Sequence, residues 1–175
     1  RGEAFTLDTP ETPLETGKGR MLWEEGTDFL IIALGTMNQT ALKVVEDAKE
    51  EGLMGSVLDP RFVKPLDTSL LLNQGPLYKH IYVLEENQQI GGLGEQVKAL
   101  YQSQSITTPV VSIAIPDHFT EQGDMQSLYR LLGMTPEQVL SRIKQDLEQQ
   151  EVVEHSSKVV NLKVTEKRAY GKTAN

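Results

Sequence analysis

The stretch "DFLIIALG" at 28–35 is apolar almost without interruption and closes on glycine. A strand of that kind has no solvent face, so it belongs inside a sheet covered on both sides. Directly after it, "TMNQTALKVVEDAKEEG" brings Ala41, Val44, Val45 and Ala48 round at helical spacing, with Gly52 placed to end the helix. The alternation then repeats. "MGSVLD" reads as a strand, Pro65 to Asn73 begins a short helix with Asp67 or Thr68 as its N-cap, and "HIYVLEE" at 80–86 is the next strand. "GGLGEQVKALYQSQ" opens a helix on glycines, and "PVVSIAI" at 109–115 is a further strand. Upstream, "GRMLWEEG" at 19–26 makes a short strand with Trp23 half buried.

Strands joined through helices need crossover connections, which are right-handed and produce a mostly parallel sheet with helices on both faces. The expected fold is therefore three-layer α/β/α. The first two strands are separated only by a few residues around Gly26 and Thr27, too few for a crossover, so one edge of the sheet is expected to be antiparallel. Beyond Pro116, "DMQSLYRLLG" and "TPEQVLSRIKQDLEQQ" predict two helices. The second is capped by Thr135, has Pro136 in its first turn, and turns Val139, Leu140, Ile143 and Leu147 inward. The boundaries follow: an extended linker over 1–16, the α/β domain over 17–150, and a polar extension over 151–175 in which "KVVNLKVT" could add an edge strand. Arg1-Gly2 reads like the middle of a longer chain.

Composition narrows the function classes. A chain of 175 residues with net charge −8 repels a phosphate backbone at long range, which argues against nucleic acid as a partner. Its longest apolar run falls far short of the ~20 residues of a membrane span, and no signal peptide is evident, so no membrane association and a cytoplasmic setting are expected. The absence of cysteine excludes thiolate nucleophiles and cysteine-ligated metals. His80, His118 and His155 lie far apart without ligand spacing, so no metal site is expected either.

In an open α/β sheet, ligands gather outside the carboxyl ends of the strands. Asp59, Arg61, Lys64 and Asp67 lie in the loop "DPRFVKPLD" there, and Glu85 and Glu86 stand at the next strand end ahead of "GGLG". Helix N–H groups opened by glycines could hold an anion, but the pattern is no complete dinucleotide fingerprint and sets two carboxylates beside any phosphate. In the plainer alternative, the glycines allow close helix packing while Glu85 or Glu86 caps a helix or pairs with Arg61 or Lys64. Adjacent strand residues face opposite ways, so Glu85 and Glu86 cannot share a proton as a catalytic pair. The residues thus predict a charged rim, with no complete catalytic set.

Five strings in register, "GKG" at 17–19, "ALGT" at 33–36, "DPRFVKPLD" at 59–67, "EENQQIGGLGEQV" at 85–97 and "IPDHFTEQG" at 115–123, resemble the C-terminal third of the 1-deoxy-D-xylulose-5-phosphate synthase family, within the wider transketolase C-terminal-domain-like group. The resemblance runs from Arg1 to about Gln149. It implies a five-stranded mixed sheet, mostly parallel with one antiparallel edge strand. It also implies a homodimeric, thiamine-diphosphate- and Mg2+-dependent transferase acting on pyruvate and glyceraldehyde 3-phosphate. In that family the cofactor and magnesium are held by N-terminal and middle domains that precede this one, so no cofactor is expected on this chain alone, which should be inactive. Arg1 corresponds to the arginine expected to contact the substrate phosphate. Asp59, Arg61, Lys64, Asp67, Glu85 and Glu86 become an interface and structural ion network. Where family members often have Glu-His-Gly, this chain has "EQG" at 121–123, so no histidine role carries over. An alternative is a non-catalytic docking module like the equivalent domain of 2-oxo acid dehydrogenase beta subunits.

Overall fold

The computed structural model describes residues 13–119, 122–150 and 152–153. Arg1, most of the expected linker, Glu121 and nearly all of the 151–175 extension, with its possible edge strand, lie outside the described residues. The chain divides into two compact units, Arg1–Leu140 and Ser141–Asn175.

The sheet belongs to the first unit. Its strands are β1 (Arg20–Glu24), β2 (Phe29–Ala33), β3 (Gly55–Asp59), β4 (His80–Gln88) and β5 (Val110–Ile115), in the order β1-β3-β2-β4-β5. β2 is parallel to β3 and β4, β4 is parallel to β5, and β1 runs antiparallel on β3. The antiparallel edge expected from the short first connection is β1, which reaches past β2 to pair with β3. Helices α1 (Met37–Glu50), α2 (Thr68–Gln74), α3 (Leu93–Ser103) and α4 (Met125–Leu132) connect or follow the strands, and a short 3-10 turn covers Gly75–Leu77. Residues 136–150 are also helical. Within the second unit, Arg142 pairs with Asp146 one helical turn on, at 3.0 Å.

Every residue of β2 is buried, as its unbroken apolar run requires. On one face Leu30 and Ile32 pack with Leu58, Ile81, Val83 and the α3 residues Leu93, Val97 and Tyr101. By strand alternation Phe29 and Ile31 serve the other face. α1 buries Ala41, Val44, Val45 and Ala48, the stripe read from the sequence. A valine, leucine or isoleucine of this core contributes roughly 1.5–3 kcal/mol when fully removed from water, and an alanine methyl about 0.8 kcal/mol. Where the packing is tightest a glycine is required: a Cβ on Gly55 would lie 2.2 Å from the Phe29 ring. Right-handed twist and parallel pairing bring the ends of β2, β3 and β4 to one rim, and this rim positions the charged residues.

Candidate functional site at the strand ends

β4 runs two residues past the expected 80–86, and its last turns carry the two glutamates on opposite sides. Glu85 is wholly buried. Its Oε1 accepts the N–H of Gly94 at 2.8 Å, and its Oε2 accepts the N–H of Leu93 at 2.8 Å and Nδ2 of Asn87 at 2.9 Å. The positive end of α3 therefore already holds an anion, and that anion is the chain's own carboxylate. The open question about the glycine-rich turn is answered in favour of capping. Gly92 is what lets the carboxylate in, since a Cβ there would lie 2.6 Å from Glu85 Oε1, and Gly94 is what lets α3 lie close to β5, since a Cβ there would lie 2.4 Å from Ser112 Oγ.

Glu86 points the other way. It accepts hydrogen bonds from the hydroxyls of Thr36, just past β2, and of Tyr129, on α4. Burial, together with the Glu86 carboxylate, pushes the Tyr129 hydroxyl up to about 12. One side chain thus ties the end of β4 to the start of α1 and to α4.

The loop after β3 forms a separate set. Asp59 takes Nε of Arg20 at 3.3 Å on one oxygen and the N–H of Arg61 at 2.9 Å on the other. Asp67 caps α2 by accepting the N–H of Leu70 at 3.0 Å and also accepts the N–H of Gly19 at 3.2 Å. Gly17 sits against Pro65 so closely that a Cβ there would be 2.8 Å from the ring. Residues 17–20 and 59–67 are in this way stitched together.

The expected joining of Arg61 and Lys64 to Glu85 or Glu86 needs correction. β2 lies between β3 and β4, which separates the two loops by two strand spacings, roughly 10 Å. The carboxylates of β4 instead find partners on α3, Thr36 and Tyr129. Sequence reading missed Arg20 and Tyr129 and, although Thr36 closes the "ALGT" string at a strand end, gave it no partner. Thr36 and Tyr129 lie 50 and 43 residues from Glu86, and no local pattern marks such pairs.

Among the described residues no group of three or more His, Asp or Glu is arranged to hold a metal. With α3's N-terminus taken by Glu85, the rim does not fit a magnesium-bound diphosphate. The carboxylates of Asp59, Asp67, Glu85 and Glu86 are bonded within the domain, so the geometry defines an α/β domain whose charged rim is tied together internally.

The comparisons identify which one. Residues 17–139 match the family model for the transketolase C-terminal domain, and the chain belongs to that family. It is 38% identical over 142 residues to a 1-deoxy-D-xylulose-5-phosphate synthase of Alkaliphilus oremlandii, covering 80% of this chain and 23% of that protein. A synthase of the same name from Chlorobium phaeovibrioides is 42% identical over 133 residues, covering 76% and 21%. The chain thus spans under a quarter of the length of these relatives. Among solved structures, a split-gene transketolase described as an inactive beta4 tetramer is 32% identical with a TM-score of 0.70, covering 80% of this chain and 44% of that one. A transketolase of Pichia stipitis shares the fold at 17% identity, TM-score 0.55, with 76% and 18% covered.

Proposed function

We propose that this chain is the C-terminal domain of a transferase making 1-deoxy-D-xylulose 5-phosphate from pyruvate and glyceraldehyde 3-phosphate, and that it supplies assembly surface while the chemistry resides in preceding domains. The observation that carries this reading is the rim itself, whose carboxylates are bonded internally, in a chain 38–42% identical to synthases of that name. Those names favour it over a docking module of the dehydrogenase kind.

In this proposal thiamine diphosphate and magnesium bind the preceding N-terminal and middle domains, and the working protein is a cytoplasmic homodimer. Arg1 contacts the substrate phosphate, for which the planar fork of a guanidinium is suited. The domain occupies 17–150, with 1–16 as linker and 151–175 as extension. Asp59, Arg61, Lys64 and Asp67 serve the junction with neighbouring polypeptide, and Glu85 and Glu86 keep the rim in shape for it.

The test is the full-length protein supplied with pyruvate, glyceraldehyde 3-phosphate, thiamine diphosphate and Mg2+. Product should form, and Arg1→Ala should raise KM for the triose phosphate far more than KM for pyruvate. Absence of product from the intact protein overturns the proposal.

A further inference from the structure

Helix α4 carries an apolar side that the domain leaves largely open. Met125, Leu128, Leu131 and Leu132 follow one another along that side at helical spacing, with Gln126, Ser127 and Arg130 on the other. A helix of this pattern normally buries its apolar side, yet no residue of α4 is buried. Leu131 is 68% and Met125 54% exposed. What places the helix is the hydrogen bond that Tyr129 donates to Glu86, which sets it at the end of β4. Phe119, just past β5, is fully exposed, and Ile90, in the turn after β4, is 61% exposed. The carboxylates of this part of the rim are already engaged, Glu85 by α3 and Glu86 by Thr36 and Tyr129. Asp117, Asp124 and Arg130, exposed in the same segments, supply a polar surround. The rim beyond β4 and β5 thus has the make-up of an interface, large apolar side chains with charge at the margin.

The occupant follows from where the polypeptide enters the sheet. β1 is antiparallel to β3 and begins with Arg20 opposite Asp59, the last residue of β3. Residues 17–20 therefore reach the sheet at this same rim, at the carboxyl ends of the parallel strands, and are tied down there by the Gly19–Asp67 bond and the contact of Gly17 with Pro65. Leu14, just ahead of them, is 68% exposed. On the function proposed above, on which this inference rests, that segment arrives from the preceding domains and delivers them to the rim that bears the apolar patch. In the strand order β1-β3-β2-β4-β5 the entry and the patch are two to three strand spacings apart, roughly 10–15 Å, a distance that one docked domain covers. We infer that the side of α4 carrying Met125, Leu128 and Leu131, with Phe119 and Ile90 on the same rim, is the face by which this domain docks onto an apolar surface of the preceding domains of the same protein. The covalent connection favours that occupant over a second copy, because a tethered surface is presented at high effective concentration.

The test uses the full-length protein with Phe119→Ser and Leu131→Gln combined, and with Leu131→Met and Gln126→Ala as controls that keep the apolar side intact. Limited proteolysis followed by mass spectrometry reads the rate at which the intact C-terminal domain is released. Hydrogen exchange follows α4 and β2, and sedimentation gives the oligomeric state. The double variant should release the domain about tenfold faster or more, with quicker exchange in α4 and the oligomeric state unchanged, and both controls should behave as wild type. Release of the double variant at the wild-type rate overturns the inference. So does dissociation into smaller oligomers without faster release, which would show a second copy on this face. Both replaced residues are exposed, so β2 should keep its wild-type protection; loss of protection there would show them serving their own domain and overturns the inference as well. Product formation by the wild-type protein judges the underlying reading separately, since an active protein whose double variant releases at the wild-type rate loses this inference alone.

Discussion

Glu85 and Gly94 meet across the turn between β4 and α3, the carboxylate Oε1 taking the glycine N–H at 2.8 Å while Oε2 takes the N–H of Leu93 at the same distance. Buried acceptor and donors satisfy one another, and the helix is fixed to the strand at its first turn. Glu85→Ala leaves two buried N–H groups without a partner, each worth roughly 1–3 kcal/mol. A fall in stability of about 2–6 kcal/mol is expected, read as a lower urea midpoint at unchanged slope. Glu86→Ala, on the half-buried side, should lose about 1 kcal/mol or less.

Gly94→Ala should be destabilising although alanine is the better helix former. Its Cβ would come within 2.4 Å of Ser112 Oγ and 2.9 Å of Ser112 Cβ, and overpacking of this kind costs roughly 1–3 kcal/mol. Ser112→Gly in the same chain should recover part of the loss, since the obstructing side chain is then gone. Equal urea midpoints for Gly94→Ala and wild type would show that α3 can move aside.

Tyr129 gives an alkaline prediction. Its hydroxyl is pushed up to about 12 in the fold by burial and the Glu86 carboxylate, whereas an unfolded tyrosine ionises near 10. The raised value means that its stabilising contribution is complete below about pH 10 and is lost as pH rises from there through about 12. Burial also pushes up the hydroxyls of Tyr78 and Tyr101, so ultraviolet titration should show several late-ionising tyrosines, of which the one near 12 is lost in Tyr129→Phe, and amide exchange in α4 should quicken over the same window.

Asp124 gives the acid counterpart. The Ser127 hydroxyl donates to its carboxylate at 2.7 Å and the Ser127 N–H at 2.9 Å, and these bonds hold its carboxyl below the ordinary carboxylate value. The cap is therefore in place above about pH 4 and is lost as pH falls through the depressed value. Carboxyl titration by NMR should place Asp124 below an ordinary aspartate, with the Ser127 amide resonance moving in step. Substituting alanine at 124 should fray α4 at neutral pH.

Much of the fold was legible from local pattern. The α1 stripe, the doubly buried β2 and the caps at Asp67 and Thr135 are statements about neighbours in the chain, and the structure has the bonds: Asp67 Oδ1 to Leu70 N at 3.0 Å, and Thr135 Oγ1 to Gln138 N at 3.4 Å. The rim was legible only in part. That Glu85 could cap a helix followed from the glycines after it, but pairing of Arg61 or Lys64 with Glu85 or Glu86 assumed adjacent strand ends. The insertion of β2 between β3 and β4 undid that assumption, and the Thr36–Glu86–Tyr129 contact has no trace in local spacing.

Periodicity, turn residues and charge, all short-range properties of the chain, are enough to make this an α/β domain with a charged rim. Which charge meets which was left to strand order and helix placement, since those depend on burying apolar faces drawn from distant segments. Glu85 was committed to α3, and Asp59 to Arg20 and the Arg61 turn, once the sheet had closed around β2.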